Sequence, residues 1–315
     1  MRKAYGIAGV TAALLALCVA CAGVEAAPAQ PSPPSNTGQL RGVPAPAHGA
    51  LLGHYYGAGS IEETDARIGR MPAVHLTYYG WSDAWDATAD TRDDLTNGRI
   101  PLVNWEPSGI SFDDIINGKL DATITARADG AKSLNSGLIL DFAAEMNEEE
   151  GWGGHSPEKY IAAYRHIHDI FTARGATNVA WAWCPNNTDS ADSPPALAYY
   201  PGNDYVDWTG ADGYNWGTSQ GDFHWQTFDE VFSDIYGRLA PLGKPIIIGE
   251  TASDEVGGDK AHWISDMVPT LRDKFPLIKA LVWFDVDKER HWQVNSSPSS
   301  LAAYRQMAND PYLNP

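Results

Sequence analysis

Two glutamates stand where the sequence changes character. Glu250 closes the run Pro245-Ile246-Ile247-Ile248-Gly249, and Glu145 closes Leu138-Ile139-Leu140-Asp141-Phe142-Ala143-Ala144. A carboxylate at the end of a run destined for burial is seldom there for packing. Two such groups facing each other can cleave a glycosidic bond, one holding a proton for the leaving oxygen and the other ionised. A separation of about 5–5.5 Å gives retention at the anomeric carbon, whereas about 6.5–9.5 Å leaves room for a water and gives inversion. The groove must also offer ring faces on which sugar C–H surfaces can stack. Trp81, Trp105-Glu106, Trp183-Cys184, Asp212-Gly213-Tyr214-Asn215-Trp216 and Trp283 with Asp285 all stand at comparable run ends, as does Asn147 just after Glu145. Trp105, Asn147, Trp183 and Trp283 are therefore candidate sugar contacts, although a chain with 12 Trp and 14 Tyr must spend most of them on its core.

The elements that would position these residues are short β-prone runs alternating with helical stretches. The runs are Leu51–Tyr56, Ala73–Tyr79, Ile100–Trp105, Leu138–Glu145, Asn178–Trp183, Tyr205–Asp212, Pro245–Glu250 and Ile278–Phe284. Several are almost continuously apolar, as parallel strands covered on both faces must be. Helices are predicted over Leu120–Leu134, Lys159–Ala173, Trp225–Leu239 and Asp259–Lys274, the second opened by Ser156-Pro157 and closed by Gly175. The segments after the first, second and fifth runs are short or irregular. Alternation of this kind predicts an α/β chain folded as a single (β/α)8 barrel over residues 50–315, with chemistry at the carboxyl ends of the strands. A doubly wound sheet would call for a glycine-rich phosphate loop after an early strand, and none is present.

Composition narrows the partners. A net charge of −18 excludes a nucleic-acid or anionic-membrane surface and suits a neutral substrate. No metal or other cofactor is called for. His166 and His168 are two residues apart on a helix and cannot face one ion, and Glu148-Glu149-Glu150 reads as a solvated loop. At the N-terminus, Arg2-Lys3, an apolar run from Ile7 to Ala20 and small residues thereafter have the layout of an export signal over 1–27. Cleavage near Ala20-Cys21-Ala22 would release the protein. The lipobox-like Leu17-Cys18-Val19-Ala20-Cys21 would instead leave it lipid-anchored through Cys21 on the outer face of a bacterial membrane. Residues 28–49, rich in Pro, Ala, Ser and Gly, read as a tether. With Cys18 and Cys21 in the signal region, Cys184 is the one thiol of the folded part, expected to be unreactive, and the chain is expected to act as a monomer.

Longer stretches carry a resemblance. Leu140 to Asn147, Trp152-Gly153, Tyr160 to Phe171, Asn178 to Trp183, Tyr200 to Trp208, Asp212 to Asn215, Lys244 to Glu250 and Ala280 to Phe284 resemble, in order, segments of glycoside hydrolase family 26. The resemblance covers most of residues 50–310. It implies a barrel and retaining hydrolysis of a β-linked polysaccharide, most often β-1,4-mannan, with β-1,3-xylan and mixed-linkage β-glucan as variants. It also implies that Glu145 is the acid/base and Glu250 the nucleophile, that Tyr214 contacts the nucleophile, and that Trp152 and Trp283 shape sugar subsites.

The sequence departs from the family pattern at three points. Where the family reads His-Glu-Met-Asn-Gly, this chain has Ala144 and Glu148 in place of His and Gly, and Asp141 replaces an expected Arg. Ala144 cannot hydrogen-bond a sugar hydroxyl, so that contact is lost or passes to His75 or His155. A reading from another class follows from the same change: a cell-surface glycan-binding protein that keeps the aromatic groove without turnover.

Overall fold

The computed structural model describes residues 42–57, 59–148, 151–221 and 223–313. The export signal, Cys21 and the tether as far as residue 41 lie outside the described residues, as do Glu149 and Glu150. Strands β1 (Leu51–Tyr55), β2 (Val74–Gly80), β3 (Ile100–Glu106), β4 (Leu138–Phe142), β5 (Val179–Trp183), β6 (Trp208–Asn215), β7 (Ile246–Ser253) and β8 (Ile278–Phe284) form a closed barrel in sequence order. Every neighbouring pair is parallel, including β1 with β8. The helices between them are α1 (Ile61–Ile68), α2 (Ala89–Asn97), α3 (Phe112–Ile116), α4 (Asp121–Ser133), α5 (Pro157–Arg174), α6 (Phe228–Leu239), α7 (Lys260–Ser265), α8 (Met267–Asp273) and α9 (Pro298–Ala308).

Alternation along the strands sorts side chains into two cores. Val74, Leu76, Leu102, Ile139, Ala180, Ala182, Cys184, Ile247, Ala280 and Val282 fill the lumen. Leu140, Phe142, Trp105, Trp181, Trp183, Ile246, Ile248, Leu281 and Trp283 point outward, where the helices cover them. Local chemistry fixes the helix ends. Pro157 occupies the first turn of α5 and Gly175 closes it at φ 75°, a conformation an L side chain resists. Thr227 and Glu230 form a reciprocal capping box at the start of α6.

Several element bounds shift by a few residues from those read in the sequence, and two of the differences have a clear local cause. The run expected to continue to Glu145 ends as a strand at Phe142, because Ala143 and Glu145 take positive φ, 56° and 55°. The helix expected over Asp259–Lys274 is two, α7 and α8, meeting at Asp266. Pro269 lacks the N–H that would bond to Ser265, and its ring crowds that carbonyl. After β5 the described chain has only a 3₁₀ turn at Ala196–Tyr199 before β6. The backbone between serves the site instead.

Candidate active site

Glu145 leaves β4 on a strained path. Its N–H donates to the Cys184 carbonyl (2.8 Å) and that of Ala143 to the Trp105 carbonyl (3.1 Å), so both neighbouring strands hold the turn. A left-handed non-glycine residue costs about 1–3 kcal/mol and persists where its surroundings over-determine it. Here two of them turn the carboxyl of Glu145 toward the barrel mouth. Its Oε1 accepts from Asn186 Nδ2 at 3.1 Å, and the same amide reaches Glu148 Oε1 at 2.7 Å. Asn186 is itself fixed by Asn147, whose Oδ1 accepts from its N–H (2.8 Å) and whose Nδ2 donates to the carbonyls of Asn186 and Thr188 and to Asp189 Oδ1.

Glu250 lies on β7, paired in register with Asp212 of β6 across a bulge. Asp212 bridges by backbone to Asn186, so adjacent chain segments connect the two glutamates. Two hydroxyls converge on Glu250: Tyr78 from β2 donates to Oε1, and Tyr214 from β6 to Oε2. Burial pushes both tyrosines well above their usual acidity range, which keeps them donors.

The two carboxyl groups differ in what supports their charge. Burial pushes Glu145 up to about 8, with the charges of Glu250 and Glu148 adding to it and Asn186 and Lys288 opposing. Burial also raises Glu250, but the hydroxyls of Tyr214 and Tyr78 and the charge of Lys288 act against it. A donor to an ionised carboxylate stabilises the ionised form, so the pair's proton rests on Glu145 and its charge on Glu250. Glu106, half-buried at the end of β3, is raised by burial and lowered by Lys288, the cation that faces this acidic mouth.

Two further acids are buried in the barrel, Asp141 and Asp212. Asp141 is buried and pushed up to about 7, chiefly by burial, with hydrogen bonds from Cys184 opposing and the Glu250 charge adding. Asp212 rises well above the usual carboxylate range for the same first reason. Gly249 leaves room for it, since a Cβ there would come within 2.6 Å of Asp212 Oδ1. An acid whose folded pKa exceeds its unfolded one binds its proton more tightly when folded. Its contribution is present below the unfolded value and is lost as pH rises through the folded one. The melting temperature is therefore expected to fall between about pH 4 and 8 in step with Asp141 and Glu145. Asp141→Asn, permanently neutral and nearly isosteric, should match the wild type at pH 5 and exceed it at pH 8. Equal losses at both pH values in thermal denaturation would exclude a protonated Asp141.

Of the residues read from the sequence as sugar contacts, Tyr214 touches Glu250, and Trp152 is partly buried with surface left exposed. Three tryptophans require correction. Trp105 has 0% exposure and stacks on Trp81, centroids 4.5 Å apart. Trp183 has 0% exposure and packs against Tyr200, and Trp283, at 1%, lies against Trp263 and Tyr304. All three face the helices, so no sugar can reach them. Asn147 is fully buried and acts through Asn186 rather than on a ligand. His75 does not replace the histidine missing at position 144, because it is buried against Asp94 at 2.9 Å outside the lumen. His155 is exposed, with Nδ1 2.9 Å from the Asp192 carbonyl. Tyr78, Asn186 and Lys288 were not singled out from the sequence. Tyr78 shares the lumen-facing parity of Val74 and Leu76, a signal that could have found it, whereas Asn186 and Lys288 sit in loops without periodicity. Among the described residues no group of three or more His, Cys, Asp or Glu could hold a metal ion.

A parallel barrel that keeps one acid protonated and its neighbour ionised at the strand ends has the design of the glycoside hydrolases. Sequence comparison makes the class specific: residues 95–240 match the profile of glycosyl hydrolase family 26. Over 276 residues the chain is 40% identical to endoglucanase H of Acetivibrio thermocellus, an alignment covering 85% of this chain and 31% of that protein. It is 24% identical over 303 residues to a mannan endo-1,4-beta-mannosidase of Bacillus subtilis, covering 80% and 77%. The solved structure of a family 26 beta-mannanase from Bacteroides ovatus shares the fold at a TM-score of 0.63 with 17% identity, over 85% of this chain and 90% of that one. The chain belongs to glycosyl hydrolase family 26. It spans about a third of endoglucanase H.

Proposed function

We propose that this chain hydrolyses internal linkages of a β-linked glucan with retention of configuration. The observation that carries the reading is the asymmetry of the pair: among the described residues, two tyrosine hydroxyls donate to Glu250 and a single shared amide to Glu145. In the first step Glu145 gives its proton to the leaving oxygen while Glu250 attacks the anomeric carbon, forming a glycosyl-enzyme ester. In the second, the Glu145 carboxylate takes a proton from water as that water displaces Glu250, and the starting state returns. Asn186 orients Glu145 throughout. The hydroxyls of Tyr78 and Tyr214 hold Glu250 in place as its charge passes into the ester and back.

The glucan assignment rests on the 40% identity to a protein named an endoglucanase, together with Ala144. Glucose and mannose differ in the orientation of one hydroxyl. A buried apolar residue where the family commonly carries a histidine removes one means of reading a hydroxyl, which suits a change of sugar. β-1,4-Mannan is the second reading, supported by the mannanase relatives at 24% and 28% identity. The N-terminal basic and apolar stretch supports action outside the cell, either released or held by lipid on Cys21.

The purified protein is expected to release reducing ends faster from mixed-linkage β-glucan than from galactomannan or β-1,3-xylan. A faster rate on galactomannan would move the substrate to mannan. Binding without product on all three would replace the enzyme by a glycan-binding protein.

A further inference from the structure

The loop between β6 and α6 extends the site beyond the residues used so far. Phe223 is 50% exposed, a large apolar ring open to solvent, and its ring stacks on Trp216 with centroids 5.2 Å and planes 21° apart. Trp216 lies 5.8 Å from Tyr214, whose hydroxyl donates to Glu250. Aromatic rings thus lead from the proposed nucleophile to the protein surface. Arg290, itself buried, pins this shelf. Its guanidinium carbon stands 5.1 Å from the Trp216 ring centre and 5.6 Å from that of Phe223, and its Nε donates to the Trp216 carbonyl at 3.1 Å. Trp292 meets Trp216 edge-on at 5.2 Å. The loop is tied down as well. Asn215 Oδ1 accepts from the N–H groups of Gly217 and Gln226, Ser219 donates to Asp254 at 2.6 Å, and the Thr218 N–H donates to the Val256 carbonyl. An apolar ring held in water by this many contacts is a surface prepared for a ligand, because its ordering cost is met before the ligand arrives.

We propose that Phe223, carried on Trp216, is a distal subsite that stacks a pyranose unit of the bound polysaccharide away from the cleaved linkage. The proposal rests on the hydrolytic reading only for the identity of the chain that occupies the shelf. Continuity with Tyr214 names that occupant, since a glycan threaded over Glu250 continues past these rings. The shelf offers ring faces, and the charge of Arg290 lies buried beneath them, which suits the flat C–H face of a neutral sugar. A substrate too short to reach Phe223 gains nothing from it. A long one gains affinity without any change at the reacting atoms.

Phe223→Ala is expected to raise KM on soluble β-glucan about tenfold while leaving kcat near wild type, the scale of one lost apolar contact. Turnover of an aryl β-cellobioside should not change, and Phe223→Tyr, which keeps the ring, should restore the polysaccharide KM. An unchanged KM in Phe223→Ala, or an equal loss on the short substrate, would overturn the subsite. Binding is read separately by affinity electrophoresis in gels containing β-glucan or galactomannan, comparing Glu250→Ala with the Glu250→Ala/Phe223→Ala double variant. Weaker retardation of the double variant supports the shelf, even if the wild type releases no reducing ends and the hydrolytic reading fails. Equal retardation, or none for either variant, removes it.

Discussion

Glu250→Ala is expected to lower kcat on the polysaccharide by about 10⁴-fold or more, with circular dichroism and melting behaviour near those of the wild type. The size follows from the proposed role. Without the carboxylate there is no glycosyl-enzyme, and the hydroxyls of Tyr78 and Tyr214 are left facing an empty space. That space makes the assignment testable in a way a simple loss of activity does not. Azide is small enough to enter it and attack the anomeric carbon from the face Glu250 occupied, while Glu145 still protonates the leaving oxygen. The product would then be an α-glycosyl azide, one displacement having inverted a β-linked substrate. Nuclear magnetic resonance of the product decides the matter. Residual activity within tenfold of the wild type, or a β-configured azide, would show that Glu250 is not the attacking group.

The barrel was legible because its strands repeat one physical signature, an apolar run bounded by turn residues, and eight such runs in order leave few topologies open. The carboxylates were legible for a related reason. Glu145 and Glu250 interrupt sequences that otherwise bury everything, and burying a carboxylate needs compensation that a functional site supplies. Trp105, Trp183 and Trp283 are misread when strand-end aromatics are considered without regard to parity. In β3 the lumen side carries Leu102, Asn104 and Glu106, so Trp105 between them must face the helices. The same count places Trp183 outside against Ala182 and Cys184, and Trp283 outside against Val282. Applied to β2 it would have brought Tyr78 in.

What no period could show is the geometry that depends on loops. Ala143 and Glu145 adopt left-handed backbone conformations that their residue types do not announce, and the turn exists because the carbonyls of Trp105 and Cys184 hold it from both sides. Asn147 was singled out, but as a ligand contact. Its amide is consumed in fixing Asn186, a residue from the far side of the β5 turn, and only the folded chain reveals that dependence. Glu145 is therefore positioned by contacts distant in sequence, whereas the strand that carries Glu250 could be read from its own residues.

The acid/base role proposed for Glu145 gives the other large effect. Glu145 must hold a proton when the leaving oxygen departs, and burial, reinforced by the charges of Glu250 and Glu148, pushes it up to about 8. kcat/KM on polysaccharide should accordingly fall above about pH 8 along a single basic limb. Glu145→Ala should lose about 10²–10⁴-fold in activity on polysaccharide, where the leaving sugar oxygen needs the proton. An aryl glycoside with an acidic phenol as leaving group needs none, so its first step should survive in the variant without the basic limb. Ester hydrolysis should then limit turnover, giving a burst of released phenol in rapid mixing. Added azide should relieve that second step and, attacking an enzyme-bound α-ester, yield a β-glycosyl azide. A basic limb that persists in Glu145→Ala, or aryl glycoside and polysaccharide losses of equal size, would place the proton on another group. Asp141 and Asp212 are almost fully buried, at 4% and 1% exposure, whereas Glu145 keeps surface exposed for the leaving oxygen, which is why the limb is assigned to Glu145.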